Sequence, residues 1–388
     1  MSKLEELIQQ YCPDGVEFKL LGEVCDIHKG VQFNKSDMQD EGTYPVINGG
    51  INPSGYVEVF NEEENTITIS QGGASAGYVN FLLSKFWLGA HCYAVKPTNE
   101  VKNRYLYHFI KQNEITLQQC QYGAGIPALA KGTITSLEIP IPPLPVQEEI
   151  VRVLDTFTEL QAELQAELQK RLQQYNYYRD NLLSFDGRTD VEWKKLGDVM
   201  TIQRGASPRP IQNFLTDDEN GVPWIKIGDV SPQSKYISST KERVTKEGVS
   251  KSRYLKKGSF ILSNSMSFGR PYILEIDGCI HDGWISMCDF QKDLNPDFLY
   301  HVLRSNTVQS YWISKANSGG AVANLNSDIV RDTLIPIPSF EEQQKVVDVL
   351  DKFNALTTDL TSGLPAEIEK RRQQYEFYRD KLLTFKRK

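Results

Sequence analysis

The chain states its architecture twice. Ile139 to Phe157 (IPIPPLPVQEEIVRVLDTF) returns as Ile335 to Phe353 (IPIPSFEEQQKVVDVLDKF), with 10 of 19 positions identical at a shift of 196. Leu168 to Phe185 returns as Ile368 to Phe385, with 11 of 18 identical at a shift of 200. A shorter echo pairs Val16-Glu17-Phe18-Lys19 and Leu21-Gly22 with Val191-Glu192-Trp193-Lys194 and Leu196-Gly197, at a shift of 175. Identity this dense at a fixed offset is the mark of internal duplication. The order is therefore variable region, shared helix, variable region, shared helix.

The shared blocks are helical in character. Gln147 to Phe185 contains no Gly or Pro before its end and is rich in Leu, Gln and Glu, which predicts a helix of roughly forty residues. Its seam of Leu154, Phe157, Gln161, Leu164, Leu168, Arg171, Tyr175, Tyr178, Leu182 and Phe185 advances in steps of three and four, the pattern of a coiled coil. A helix of that length needs a partner to cover the seam, and its own copy is the obvious one. The copy keeps Leu350, Phe353, Leu356 and Leu360, then meets Gly363-Leu364-Pro365 and resumes with Ile368, Tyr375, Tyr378 and Leu382. Gly followed by Pro predicts a break or a kink there.

Both variable regions contain short runs such as Thr66 to Ser70 and Ser259 to Ser263, β-branched or aromatic and bounded by turn clusters. Helical pieces around Tyr105 to Gln119 and Phe298 to Ile313 follow, matching through YLYH and FLYH. The expected fold is mixed α+β with a pseudo-twofold internal repeat. It divides into an N-terminal helical segment (1–17), a first domain (18–142), a central helix (143–190), a second domain (191–338) and a C-terminal helix (339–388). The segment around Leu4, Leu7, Ile8 and Tyr11 echoes the end of the central helix, which predicts a nearly circular arrangement with the N-terminus against the C-terminal helix.

Catalytic signatures are missing where they would be needed. No Gly-Lys-Ser/Thr tripeptide is available to cradle a nucleotide. Asn52-Pro53-Ser54 departs from an adenine-methyltransferase motif at its third position. Asp14 and Glu17-x-Lys19 lie too close in sequence to form a nuclease metal site from two strands. His91 beside Cys92 and His281-Asp282 have no serine elbow to complete a triad. Cys279, His281 and Cys288 lack a fourth zinc ligand at the usual spacing, so no metal site is expected. The chain reads as a binding or scaffolding protein, not an enzyme. With no run of 18 apolar residues and no signal-peptide core, the expectation is a cytoplasmic protein without membrane contact.

The formal charge of −7 argues against a protein that holds nucleic acid unaided. Its distribution is uneven, however: residues 191–338 carry 18 Lys and Arg against 16 Asp and Glu. Base reading draws on Arg, Lys, Asn, Gln and small hydroxyl residues in loops, with Gly allowing close approach. On that basis the candidate DNA contacts are Lys29, Asn34, Lys35, Asn48, Gln71, Gly72 and Gly73 in the first variable region. Arg204, Arg209, Lys226, Asn264, Ser265 and Arg270 are the candidates in the second. Aligning the halves sets Lys29-Gly30 on Arg204-Gly205, Asn48 on Lys226, and Ser70 to Gly73 on Ser263 to Ser265. Leu154, Phe157, Leu164, Leu168, Tyr175, Tyr178, Leu350, Phe353, Leu360, Tyr375 and Tyr378 are expected to pack the helices and dock partners.

Two variable domains, each closed by IPIP and followed by a helix ending in QQYxxYRDxLL, resemble the specificity subunit of type I restriction-modification enzymes. The residues that carry the resemblance are Ile139 to Phe157, Gln173 to Leu183, Ile335 to Phe353 and Gln373 to Leu383. It implies two target-recognition domains, each reading half of a bipartite asymmetric DNA site, with the shared helices as an antiparallel coiled-coil spacer. It implies as partners double-stranded DNA, two methyltransferase subunits and two restriction subunits. No cofactor is implied in this chain, because S-adenosylmethionine, ATP and Mg2+ would serve the partners. Gln161 to Leu168 spells QAEL twice, resembling the repeats whose number changes the spacer in some members. The rival reading is a coiled-coil adaptor with two β-rich ligand-binding domains.

Overall fold

A computed structural model describes residues 3–123, 125, 127–230, 234–265, 267–316, 324–359 and 361–388. The fold is mixed α+β and forms two compact units, one of Met1–Glu163 with Glu369–Lys388 and one of Leu164–Ile368. The boundary falls inside the QAEL repeat of a single continuous helix, Leu144–Ser184. Among the described residues no helix is long and apolar enough to cross a membrane.

In the first unit a four-stranded antiparallel sheet runs in the order Cys25–Lys29, Cys92–Pro97, Thr66–Ser70, Val79–Leu82. Thr66–Ser70 is buried throughout. Successive residues of a strand point to opposite faces. Ile67 and Ile69 therefore face the core shared with Tyr105, Leu106, Phe109 and Ile110 of the helix Asn103–Gln112. A smaller sheet orders Tyr56–Val57, Tyr44–Ile47 and Trp87–Leu88, and Ile47 and Leu88 share a small core with Cys92 and Ala94.

The second unit repeats both sheets with extra edge strands. One is ordered Thr201–Arg204, Trp284–Cys288, Phe260–Ser263, Pro271–Leu274, Tyr236–Ile237. The other is ordered Leu215–Thr216, Glu242–Val244, Val222–Ile225, Gly278–Ile280, Arg253–Leu255. The parallel pairing of Ile47 with Leu88 recurs as Ile225 with Ile280.

The IPIP segments are strands that close each domain against its opening strand: Phe18 faces Pro140, and Trp193 faces Pro336. Behind each lies the reason for the shared glutamine. Gln147 is fully buried; its Oε1 accepts from the Lys102 amide at 2.8 Å, and its Nε2 donates to the carbonyls of Glu100 and Pro142 at 3.0 and 2.8 Å. Gln343 repeats this with the Asn295 amide and the carbonyls of Asp293 and Pro338, at 2.7, 2.9 and 2.9 Å. Three bonds saturate an amide that burial would otherwise make costly.

Within each unit the helices pack antiparallel. In the first, Phe157 stacks on Tyr378 with ring centroids 5.2 Å apart and planes 19° apart. In the second, Tyr178 stacks on Phe353 at 5.4 Å and 25°. Leu154 and Leu350 are fully buried, and Tyr175 and Tyr375 nearly so; Leu164 and Leu168 are half-buried. Leu360 lies outside the described residues. The copy of the long helix is broken as expected, into Phe340–Thr358 and Leu364–Leu382. A Cβ at Gly363 would come within 2.7 Å of the Ala355 carbonyl, so only glycine fits that approach.

The N-terminal helix Lys3–Tyr11 packs within the first unit: Leu4 is buried and Lys3 pairs with Glu149 at 2.9 Å. Val16 exchanges backbone hydrogen bonds with the chain's last residues, donating to Lys386 O at 2.9 Å and accepting from the Lys388 amide at 3.0 Å.

Candidate nucleic-acid interface

In each unit one end of the principal sheet gathers most of the candidate residues. Antiparallel order places the C-terminal ends of two strands beside the N-terminal ends of the other two. In the first unit the row runs Lys29, His91, Gln71, Tyr78; in the second it runs Arg204, Gly283, Asn264, Arg270. Neighbouring strands stand about 4.8 Å apart, so each row spans a few base-pair rises.

Backbone bonds fix the equivalence of the two rows. Gln71 N donates to His91 O at 2.8 Å, and Asn264 N donates to Gly283 O at 3.1 Å. The carbonyls of the same two residues accept from Leu129 and Leu325, at 2.7 and 2.8 Å. Gly89 N bonds to Ile47 O, and His281 N to Ile225 O. Asn48 therefore corresponds to Lys226, as aligned from sequence, and both follow the parallel strand of the smaller sheet to the same end.

The paired glycines have a steric origin. A Cβ on Gly30 would lie 2.3 Å from Leu88 O, and one on Gly205 would lie 2.0 Å from His281 O. Gly49 (φ +91°) sits where a Cβ would meet His91 O at 2.7 Å. Asn48 Oδ1 accepts from His91 N at 3.1 Å, tying the turn to the row. Gly72 and Gly73 continue past Gln71, and a Cβ at Gly73 would meet nothing within 4 Å, so that stretch of backbone is open to a ligand.

The second row is organised by a residue the sequence reading set aside. Asp282 accepts at Oδ1 from Ser207 Oγ at 2.8 Å and pairs at Oδ2 with Arg209 at 3.4 Å. Its carbonyl accepts from Arg204 Nε at 2.9 Å and Asn264 Nδ2 at 3.3 Å. Three of the candidates thus converge on one residue. The Ser207 hydrogen bond, helped by His281 and Arg209, holds the Asp282 carboxyl below the usual range, while burial pushes the His281 imidazole down. Lys226 is tied to Glu242 at 2.5 Å, which spends much of its charge within the protein. Ser265 is exposed beside Asn264.

Asn34 and Lys35 stand apart from the row. They occupy a short helical turn, Lys35–Asp37, where Asn34 Nδ2 bonds to Asp37 Oδ2 at 3.3 Å.

A second polar arrangement joins each variable domain to its shared helix. Tyr375 OH lies 3.0 Å from His108 Nδ1, and His108 Nε2 lies 2.8 Å from Asp155 Oδ1. The second unit repeats it with Tyr175, His301 and Asp351, at 3.0 and 2.7 Å. Burial pushes both imidazoles below their ordinary value, so each is neutral, carrying its proton on Nε2 toward the carboxylate and accepting the phenol proton at Nδ1. Burial also pushes both phenols up, and the hydroxyls are fully engaged. This is a clasp, not a nucleophile. The matching YLYH and FLYH strings were its sequence signal, whereas Asp282, aligned with Ala90, left none.

A family model described as the type I restriction modification DNA specificity domain matches residues 13–174 and 189–370. A putative type I restriction enzyme specificity subunit of Haemophilus influenzae is 33% identical over 385 residues, covering 95% of this chain and 96% of that protein. The specificity subunit of a type I restriction enzyme of Escherichia coli is 30% identical over 410 residues, covering 99% and 97%. Among solved structures, the S subunit of a type I restriction-modification system from M. genitalium superposes with a TM-score of 0.59 at 19% identity, over 96% of this chain and 97% of that one.

Proposed function

The chain belongs to the type I restriction-modification DNA specificity family, and from that premise we propose that each of its two variable domains reads one half of a bipartite, asymmetric DNA site. It is a non-catalytic DNA-specificity subunit of a type I system. The shared helices set the distance between half-sites and dock two methyltransferase subunits. With two restriction subunits added, the same reading specifies cleavage as well as adenine methylation. S-adenosylmethionine, ATP and Mg2+ then act on the partners.

One observation carries this reading. The two sheet ends are the same scaffold bearing different side chains: Lys29 stands where Arg204 stands, Asn48 where Lys226 stands, Gln71 where Asn264 stands and Gly72 where Ser265 stands. A duplicated frame with divergent polar residues is what reading two unlike half-sites requires, because base identity is read through donor and acceptor patterns.

The test is a domain exchange. Residues 22–138 are replaced by the matching segment of the Haemophilus influenzae relative, the hybrid is co-expressed with its methyltransferase partner, and modified adenines are mapped across the genome. The expected outcome is a motif altered in one half and intact in the other. A motif unchanged in both halves, or changed in both, overturns the assignment.

A further inference from the structure

Next to the second row lies a pocket lined by three arginines. Arg179, Arg270 and Arg304 line a cavity of about 450 Å³ together with Ser267, Phe268 and Gln309. Arg270 opens the strand beside Asn264, its carbonyl accepting from Ser263 N at 3.3 Å. Ser267 and Phe268, just before Arg270, form the pocket's wall.

The pocket's positive charge is only partly compensated. Arg179 is nearly buried, held by Asp180 at 3.1 Å and Asn306 Oδ1 at 3.2 Å. Arg304 donates to the neutral acceptors Tyr300 OH and Asn354 Oδ1, at 2.8 and 3.3 Å. Among the described residues, Asp180 is the one carboxylate ion-paired with any of the three, so three guanidiniums face one acid. Gln309 Nε2 pins the wall through Gly269 O at 3.1 Å.

The first unit fills the same place with a neutral cluster. Its hairpin has the same bonds, Ser70 N to Tyr78 O and Gly77 N to Ser70 O, which sets Tyr78 on Arg270. Counting from the histidine of each clasp sets Lys111 on Arg304 and Glu114 on Thr307. Lys111 bonds to Glu114 at 2.6 Å and lies 4.8 Å above the Tyr78 ring. Its charge is quenched where that of the arginines is not.

We propose that the Arg179–Arg270–Arg304 pocket binds a phosphodiester of the DNA backbone flanking the half-site read by the second domain, an inference that rests on the DNA-reading function proposed above. Guanidinium forks match phosphate oxygens in pairs. The pocket adjoins the end of the row at Arg270, where a backbone passes when bases meet the rest of that row, so Arg270 holds a phosphate and not a base. A phosphate held there sets the register of the second domain without reading sequence, and it supplies attraction that the chain's net charge of −7 does not.

The complex with the methyltransferase partner is used for the test. Arg270→Tyr, which installs the side chain of the first unit, and Arg304→Gln should each lower the slope of log affinity against log salt by about 0.9, the equivalent of one phosphate, with the methylated motif unchanged. A neutral methylphosphonate at one position beside the second half-site should weaken wild-type binding about tenfold and the variants less than twofold. Arg270→Lys, which keeps the charge, should recover most of the slope, a recovery that a folding defect would not show. Unchanged slopes in both variants overturn the proposal, as does an altered second half of the motif. So does inorganic phosphate binding at the pocket in a protein whose variants bind DNA as wild type. A wild-type complex that methylates no bipartite motif would instead refute the underlying function, and that result is read before any variant.

Discussion

Tyr175 OH stands 3.0 Å from Nδ1 of His301, and the same distance separates Tyr375 from His108 in the other unit. Each tyrosine belongs to a shared helix and each histidine to a variable domain. In each unit the copied part of the chain therefore grips the variable part through this clasp as well as through its buried glutamine.

Tyr175→Phe keeps the ring and removes the donor, leaving Nδ1 of a buried imidazole without a partner. The cost should be about 1–3 kcal/mol, lowering Tm by several degrees. Tyr375→Phe should behave alike. Thermal unfolding of the two variants decides it, and an unchanged Tm in both would mean the bond contributes nothing net.

The clasp also fixes a pH dependence. Burial lowers the pKa of His108 and His301 from 6.5, so the unfolded chain takes up protons first as pH falls. Stability from this source is complete above about pH 6.5 and is lost as pH drops through that value and on through the folded-state values. Burial pushes Asp155 and Asp351 up, but the hydrogen bonds from the histidines, together with Arg104 beside Asp155 and Lys235 beside Asp351, outweigh it and hold them below 3.8, which prolongs the loss at lower pH. Urea midpoints measured from pH 5 to 8 should slope upward with pH, and His108→Gln with His301→Gln should flatten that slope. Equal slopes in wild type and double variant would refute the assignment.

Gln343→Leu is isosteric enough to fill the site but leaves the Asn295 amide and two carbonyls without partners. The expected loss is about 3 kcal/mol or more, since each of the three buried groups left unpaired costs about 1–3 kcal/mol. Gln147→Leu should cost a similar amount. Chemical denaturation measures both, and a loss below about 1 kcal/mol would show that water replaces the glutamine.

What the sequence revealed divides along the same line as the repeat. The central helix, the break before Pro365, the antiparallel pairing of the shared helices, and the alignment of Asn48 with Lys226 were all readable, because duplication and a three-four period are local signals. The convergence on Asp282 was not. It arises where a turn before one strand meets the ends of two others, Arg204 and Asn264, from 18 to 78 residues away, and nothing in the spacing of those residues announces it. Asn34 and Lys35 look like their fellow candidates in composition, yet they fall on a turn outside the row, for the same reason.

Arg204 lies at one end of the second row, oriented by the Asp282 carbonyl. Arg204→Ala should reduce methylation about 10- to 100-fold at sites defined by the second half-site, the equivalent of about 1–3 kcal/mol for one lost base contact. Reading of the first half-site should be unaffected. Titration of a duplex carrying the mapped motif checks it, and unaltered affinity removes Arg204 from the contacts.

The QAEL repeat at Gln161 to Leu168 lies inside the uninterrupted helix Leu144–Ser184, and the division between the two units falls between Glu163 and Leu164. Four residues add about 6 Å of helix and just over one turn, so an added unit lengthens the rod with little change in which face its seam presents. Since the rise per base pair is about 3.4 Å, one inserted Gln-Ala-Glu-Leu should widen the unspecified spacer by one or two base pairs and leave both half-site sequences as they were. Deleting one unit should narrow it by as much. Genome-wide mapping of methylated adenines reads both quantities at once. An unchanged spacer in the insertion variant would mean that the helix does not set the distance, and a changed half-site would mean that it also positions the reading loops.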